Sequence, residues 1–296
     1  MIVFLQQALN ALSLGATYAL LALGLAIVFT IFGLTNFAHG ELITICCYAA
    51  LGSAALGLPW AVGAVAGVAA SIVAALVMER VAFRPVRSAS ETTSLLTSFG
   101  VSLIIQALIV MLISARSKTV PQWDWLMGSW SVGALVMPRY QIVTISVTAI
   151  ALLVGLYVLK RTGAGLAMRA TAEDAVGARL VGVRINRVVV AAFAASGLLA
   201  GLAGLLTMAR TGGSINPHMG LMPMLSAFVA VVVGGLGSLG GAVIGGFALG
   251  AVEVALRAAL PASVVGLTQG FIFAAIAAVL VLRPQGLLGR IRGVKV

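Results

Sequence analysis

MIVFLQQALNALSLGATYALLALGLAIVFTIFGLTNFAHG, residues 1–40, contains no Asp, Glu, Lys or Arg. An apolar stretch that reaches residue 33 exceeds the ~20 residues a helix needs to cross a bilayer. It is too long for the core of a signal peptide and lacks a basic segment before it, so it is expected to stay in place as a membrane helix. Charge-free runs recur at 42–78, 92–115, 140–159, 188–209, 211–252 and 258–282. Of the 296 residues, 61% are apolar and 8% charged, and the mean hydropathy is +1.17. Soluble domains carry roughly a quarter charged residues. So little charge cannot cover a water-soluble globule, and the fold expected is an all-α polytopic membrane bundle, one domain over 1–296.

Glycine, proline and polar interruptions divide the runs into nine expected spans. They fall near 8–32, 41–57, 60–79, 94–114, 140–159, 188–209, 222–237, 241–256 and 266–282. If alternate loops share a side, one side holds Arg80, Arg84, Arg87, Lys160, Arg161, Arg169, Arg179, Arg184, Arg187, Arg283, Arg290, Arg292 and Lys295. The other holds Arg116, Lys118, Arg139, Arg210 and Arg257. The richer side is expected to be cytoplasmic, which places the N-terminus outside and the C-terminus inside. Orientation thereby accounts for the net charge of +11, and no nucleic-acid partner is expected. Trp60, Trp123, Trp125, Trp130 and Tyr140 fall in or beside the outer loops, as an interfacial aromatic belt would. The short pair 222–237 and 241–256 reads either as two spans or as one re-entrant hairpin; the orientation of the other spans is the same either way.

Glycines crowd the region 212–250. Four-residue spacings at Gly197 and Gly201, Gly241 and Gly245, and Gly246 and Gly250 allow close backbone approach between membrane helices. The stretch Gly234 to Gly241, with Gly235 and Gly237, reads either as tight packing or as a broken helix pair beside a cavity. A second interruption, Thr35 to Glu41, places Asn36, His39 and Glu41 together in apolar surroundings. Such groups at membrane depth mark a substrate route. At the cytoplasmic boundary they would instead form a loop, with Asn36 capping the next helix and Glu41 in its first turn. Breaks in both halves of a chain are typical of transporters. Glu253 and Arg257, four residues apart, are expected to pair along one helix.

The segment 160–187 is the longest loop on the basic side. Thr171 and Asp174 resemble a capping box, Glu173 adds charge favoured at a helix start, and Gly182 supplies a stop. A short helix near 172–181 follows, with Ala175, Val176, Arg179 and Leu180 on one face and Arg169 just upstream. That face would rest on anionic lipid or dock into a cytoplasmic partner. Catalytic signatures are missing: the chain has no phosphate-binding loop, no HExxH and no GxSxG. Its only histidines are His39 and His218. An enzyme is not expected, and any nucleotide hydrolysis must come from another polypeptide. Cys46 and Cys47 are adjacent on a helix, about 100° apart, so buried thiols are expected rather than a disulfide or metal site.

LSLGATYALLALGLAIVFTIFGLTNFAHGEL (12–42), GAGLAMRATAEDAVGARLVGVRINRV (163–188), VVVGGLGSLGGAVIGG (231–246) and RPQGLLG (283–289) resemble the LivH-type inner-membrane permeases of bacterial branched-chain amino acid ABC importers. The resemblance runs from about residue 5 to 290. It implies a homologous LivM-type permease, two cytoplasmic ATPase subunits that bind ATP and Mg, and a periplasmic binding protein carrying leucine, isoleucine or valine. No cofactor is implied on this chain itself. It also makes the 172–181 helix the element that sits in a groove of the ATPase. The Glu-Ala-Ala pattern of such loops is matched loosely, by Ala172, Glu173 and Gly182. Related permeases carry urea, short amides or other amino acids. Outside this class, a stand-alone transporter relaying protons through His39 and Glu41 and a structural membrane anchor are the alternatives.

Overall fold

The computed structural model describes residues 2–33, 36–87, 89–261 and 263–274. Eleven α-helices account for most of them: α1 (Ile2–Phe32), α2 (His39–Ala55), α3 (Trp60–Met78), α4 (Glu91–Leu112), α5 (Asp124–Met127), α6 (Arg139–Arg161), α7 (Gly163–Glu173), α8 (Ala175–Leu180), α9 (Ile185–Arg210), α10 (Leu221–Gly234) and α11 (Leu239–Ala259). A wider turn, Glu79–Phe83, prolongs α3. Two-residue strands β1 (Lys118–Thr119) and β4 (Ser214–Ile215) pair antiparallel, as do β2 (Ser129–Val132) and β3 (Leu135–Pro138).

Among the described residues, six helices are long and apolar enough to cross a membrane: α1, α3 with its extension, α4, α6, α9 and α11. This makes the chain an all-α polytopic membrane protein. The spans expected at 41–57 and 222–237 appear as the shorter helices α2 and α10, of 17 and 14 residues. Most of the ninth, 266–282, lies outside the described residues, as do Arg283, Arg290, Arg292, Lys295 and the RPQGLLG ending; residues 268–274 are helical.

Composition decides which helix is central. The hydrophobic window of α1 is 78% buried within the chain, against 11% for α6. Small residues along α1 make this possible, because they let α11 meet it backbone to backbone. A β-carbon at Gly246 would lie 2.5 Å from the nitrogen of Ala19, and one at Gly250 2.4 Å from Cα of Gly15. Gly245 and Gly241 close α11 on α10 in the same way, 2.0 Å from the Ala230 oxygen and 2.2 Å from the Gly234 oxygen. Gly197 of α9 meets Ser71 of α3, whose hydroxyl donates to the Gly197 carbonyl at 2.7 Å. The glycine spacings thus act as close-packing faces, where lipid offers no hydrophobic drive to bring helices together. Cys46 and Cys47 are fully buried free thiols on α2 that point at the carbonyls of Gly201 and Gly204.

The loops sort to two ends of the bundle. At one end, Arg87 bonds Asn186 and pairs with Glu79, and α7 and α8 lie against the start of α9. At the other, β1 joins β4, and Gln6 accepts a bond from the amide of Val136. Trp60, Trp123, Trp125 and Trp130 form a chain of rings 5.1–6.2 Å apart there, with Arg139 lying over the last two. The four tryptophans expected beside the outer loops are thus gathered at one end of the bundle. The short-helix end holds nine of the basic residues described, and the tryptophan end holds Arg116, Lys118, Arg139, Arg210 and Arg257.

Candidate functional site

Gly24 of α1 fixes the depth of the first interruption. It lies eight residues before the end of α1 at Phe32, about 12 Å along the axis at 1.5 Å per residue. A β-carbon there would sit 3.0 Å from Cε1 of His39. The chain therefore turns back into the bundle after α1, and α2 starts inside it rather than at its end. Asn36 is 2% exposed, His39 0% and Glu41 1%. The capping reading of Asn36 does not hold: Ala38 occupies the N-cap without a side-chain bond, and Oδ1 of Asn36 is buried with no partner among the described residues. Asn36 instead lies two residues before the N-cap and is buried in the bundle, where its side chain is not aimed at the first amides of α2. Glu41 does fall in the first turn of α2.

A second short helix begins at the same depth. The loop 211–220 leaves the tryptophan end and enters the bundle, and α10 starts where Gly220 meets Gly40. A β-carbon on Gly220 would be 2.0 Å from the Gly40 oxygen, and one on Gly40 2.5 Å from the Gly220 oxygen. Two short helices thus begin against each other halfway along the bundle, and their N-terminal ends favour negative charge.

Glu41 occupies that meeting point. Its Oε1 accepts from Ser102 Oγ at 2.8 Å and Gln106 Nε2 at 2.6 Å, both on α4. Gln106 Oε1 in turn accepts from His218 Nδ1 at 2.8 Å. His218 is exposed, so a line of hydrogen bonds runs from the outside of the bundle to a buried carboxyl. Oε2 of Glu41 and Oγ1 of Thr44 are buried without partners among the described residues. On the other side of α2, His39 Nδ1 and Ser196 Oγ are bonded at 3.0 Å. Ser102, Gln106 and His218 were not among the residues expected from sequence. The available signal was a serine and a glutamine four residues apart in the otherwise apolar second half of α4, residues 99–112.

Gly235 and Gly237 are not brought to this centre. They form a tight turn at the far end of α10, with φ of 108° and 85°, conformations suited to glycine. At 14 residues, α10 holds them about 20 Å from Gly220. The chain does break between α10 and α11 at 235–238, as expected, while the start of α10 at Gly220 is an additional break that meets the first one.

The loop helix divides in two. Thr171 is inside α7, its hydroxyl donating to the Ala167 carbonyl, and so is no cap. Asp174 ends α7 and begins α8, where its Oδ1 accepts from the amide of Val176 at 3.0 Å. The capping-box expectation fails because Asp174 caps its own following turn. Val181 ends α8 and Gly182 follows at φ 88°, the expected stop. Arg169 and Glu173 lie on α7; Arg179 and Leu180 lie on α8. Ala178 packs inward, while Val176, Leu180 and Val181 are 72%, 83% and 80% exposed.

At the other end, Glu253 pairs with Arg257 at 2.8 Å as expected, and also accepts from the Tyr18 hydroxyl at 2.7 Å. Membrane-length helices packed around two shorter ones that begin against each other at buried polar groups are an arrangement found in membrane transporters.

The family described as branched-chain amino acid transport system / permease component matches residues 7–284, and this chain belongs to it. The high-affinity branched-chain amino acid transport system permease proteins LivH of Salmonella typhimurium and of Escherichia coli are each 35% identical to it, over 97% of this chain and 96% of their own. The permease protein BraD of Pseudomonas aeruginosa is 33% identical over the same shares. A solved structure, PsaBC from Streptococcus pneumoniae in complex with Fab, aligns over 90% of this chain and 89% of its own, at 17% identity and a TM-score of 0.48.

Proposed function

We propose that this chain is one of two homologous permeases in an ATP-driven importer of leucine, isoleucine and valine across the bacterial inner membrane. In this reading the end bearing α7 and α8 is cytoplasmic and the tryptophan end faces outside, as the nine basic residues against five suggest. A LivM-type permease packs beside it, two ATPase subunits holding ATP and Mg bind α7 and α8, and a periplasmic binding protein delivers the solute. Urea, short amides and other amino acids are the alternative solutes; the names of the full-length relatives favour the branched-chain ones.

The observation that carries the reading is α8. Val176, Leu180 and Val181 project from the end of the bundle, on a helix capped by Asp174 and stopped by Gly182. Covering such side chains contributes about 1.5–3 kcal/mol each. A partner groove gains that energy only by gripping α8, so its movement reaches α6 through α7 and α9 directly. Closure of the ATPase pair then rocks the long helices, and the contact between Gly40 and Gly220 is where two half-helices can shift against each other. Substrate passes between the permeases as that joint moves, near Asn36, His39 and Glu41, with the Gly235 and Gly237 turn bending at the far end of α10.

Arg179→Glu combined with Leu180→Asp is expected to cut ATP-driven leucine uptake at least tenfold while the permease stays in the membrane at its usual level. The check is uptake in vesicles containing the whole transporter, alongside co-purification of the ATPase. Unchanged uptake with normal ATPase recovery would remove α8 from the coupling path.

A further inference from the structure

Between the ends of α1, α6, α9 and α11 at the tryptophan end lies a cavity of about 370 Å³. It is at the low end of the range of small-molecule sites, which begins near about 300 Å³. Two arginines reach it, Arg210 from the last turn of α9 and Arg257 from the last turn of α11. Their electrostatic situations differ. Arg257 is offset by Glu253, which also holds the Tyr18 hydroxyl below the cavity floor. Arg210 has no carboxylate partner among the described ion pairs, which are Arg87 with Glu79 and Arg257 with Glu253. Of the acids described, only Asp124 and Glu253 belong to this end of the bundle. The cavity thus has one uncompensated positive charge.

The rest of the wall suits a small zwitterion. Gln141 Nε2 donates to Asn10 Oδ1 at 3.0 Å, and Asn10 Nδ2 donates to Gln7 Oε1 at 3.1 Å. The outer ends of this amide string, the Gln141 carbonyl oxygen and the Gln7 amide nitrogen, take part in neither bond. Leu14 and Val254 add apolar surface beside them. A planar guanidinium recognises a carboxylate by paired hydrogen bonds, the amide oxygen accepts from an ammonium, and the two aliphatic side chains meet a third. The position is also apt, since Arg210 leads into the loop 211–220 that descends to Gly220 and the half-helix joint.

We infer that this cavity is the first substrate site of the permease, where Arg210 holds the carboxylate of an aliphatic amino acid. The inference rests on the proposed amino acid transport and adds the group that recognises the solute before the joint at Glu41 moves.

The test is leucine uptake by the whole transporter in liposomes, with ATP inside and saturating leucine-loaded binding protein outside, together with ATP hydrolysis stimulated by that protein. Arg210→Gln should lower uptake at least tenfold with stimulated hydrolysis within about twofold of the parent. Arg210→Lys should recover part of the loss, and Arg116→Gln, at the same end but away from the cavity, should change neither. Parental uptake by Arg210→Gln would overturn the inference and leave the transport reading intact. So would a defect that disappears when binding protein is raised tenfold, which would make Arg210 a docking residue, or a parallel loss of hydrolysis in both Arg210 variants, which would make it structural. A parent that takes up no leucine would overturn the transport reading and this site with it.

Discussion

Gly220→Ala is expected to give a permease that unfolds at much lower temperature or fails to accumulate. The added β-carbon would lie 2.0 Å from the Gly40 carbonyl oxygen and 2.8 Å from Oγ1 of Thr44. The nearest obstacle is backbone, so no rotamer change relieves the clash, and α2 and α10 must separate at their starts. Overpacking typically costs about 1–3 kcal/mol, and a backbone clash belongs at or above the top of that range. At about 2–4 °C per kcal/mol, the midpoint in detergent should fall by roughly 10 °C. Gly52→Ala is the matched control: Gly52 is inside α2, and a β-carbon there meets nothing within 4 Å. It should be neutral or stabilising by up to about 1 kcal/mol through helix entropy. The measurement is the fraction of monodisperse protein surviving a heating series. Equal midpoints for Gly220→Ala and the parent would mean that the two half-helices do not touch.

Glu41→Ala should lower uptake about a hundredfold and destabilise the protein as well. Removing the carboxyl leaves the Ser102 hydroxyl and one Gln106 amide proton without their acceptor, in residues that are 6% and 9% exposed. Each stranded group costs about 1–3 kcal/mol, so a loss of about 2–5 kcal/mol is expected. Glu41→Gln separates two roles. Its amide oxygen still accepts from both donors, so the tie between α2 and α4 survives and uptake should stay within about threefold if that tie is what matters. If Glu41→Gln stops uptake as fully as Glu41→Ala while its melting midpoint holds, the carboxyl itself takes part in transport. The His218 to Gln106 to Glu41 line would then be read as a proton path, and uptake driven by a proton gradient without ATP would become the next measurement.

Much of this was legible in the sequence because the bilayer imposes strong, local rules. A run such as 1–40 without a charge admits a membrane helix and little else, and expected span starts at 60, 140 and 241 fall within two residues of the observed ones. The Glu253 and Arg257 pair and the Gly182 stop depend on residues within one turn of each other, where spacing is decisive. Asp174 shows the limit even at that range. A capping box at Thr171 and a self-contained cap at Asp174 differ by three residues, and the observed break between α7 and α8 chooses the latter.

The half-helix joint was legible only in part. Asn36, His39 and Glu41 stand out by type, but whether such a run caps a surface helix or enters the bundle depends on what it meets. The partners are Gly24, Ser102, Gln106, Ser196 and Gly220, distant in sequence and individually ordinary. His218 gave no sign of its role, because the depth of the loop that carries it is set by Gly220 finding a gap at Gly40.

Hydropathy, charge and local spacing, properties each segment has alone, were enough to establish that the chain is a membrane bundle, where most of its helices start, which glycines lie on packing faces and where the short loop helix stops. That 239–259 is a long helix while 39–55 is a short one was not among them. Only the tertiary structure decided that α2 and α10 start in the middle, that Glu41 reaches an exposed histidine through α4, and that Arg210 stands over a polar cavity while Arg257 is neutralised. Those are relations between segments as much as 235 residues apart, such as Tyr18 and Glu253, and they arise when small side chains let backbones touch where lipid cannot satisfy a polar group.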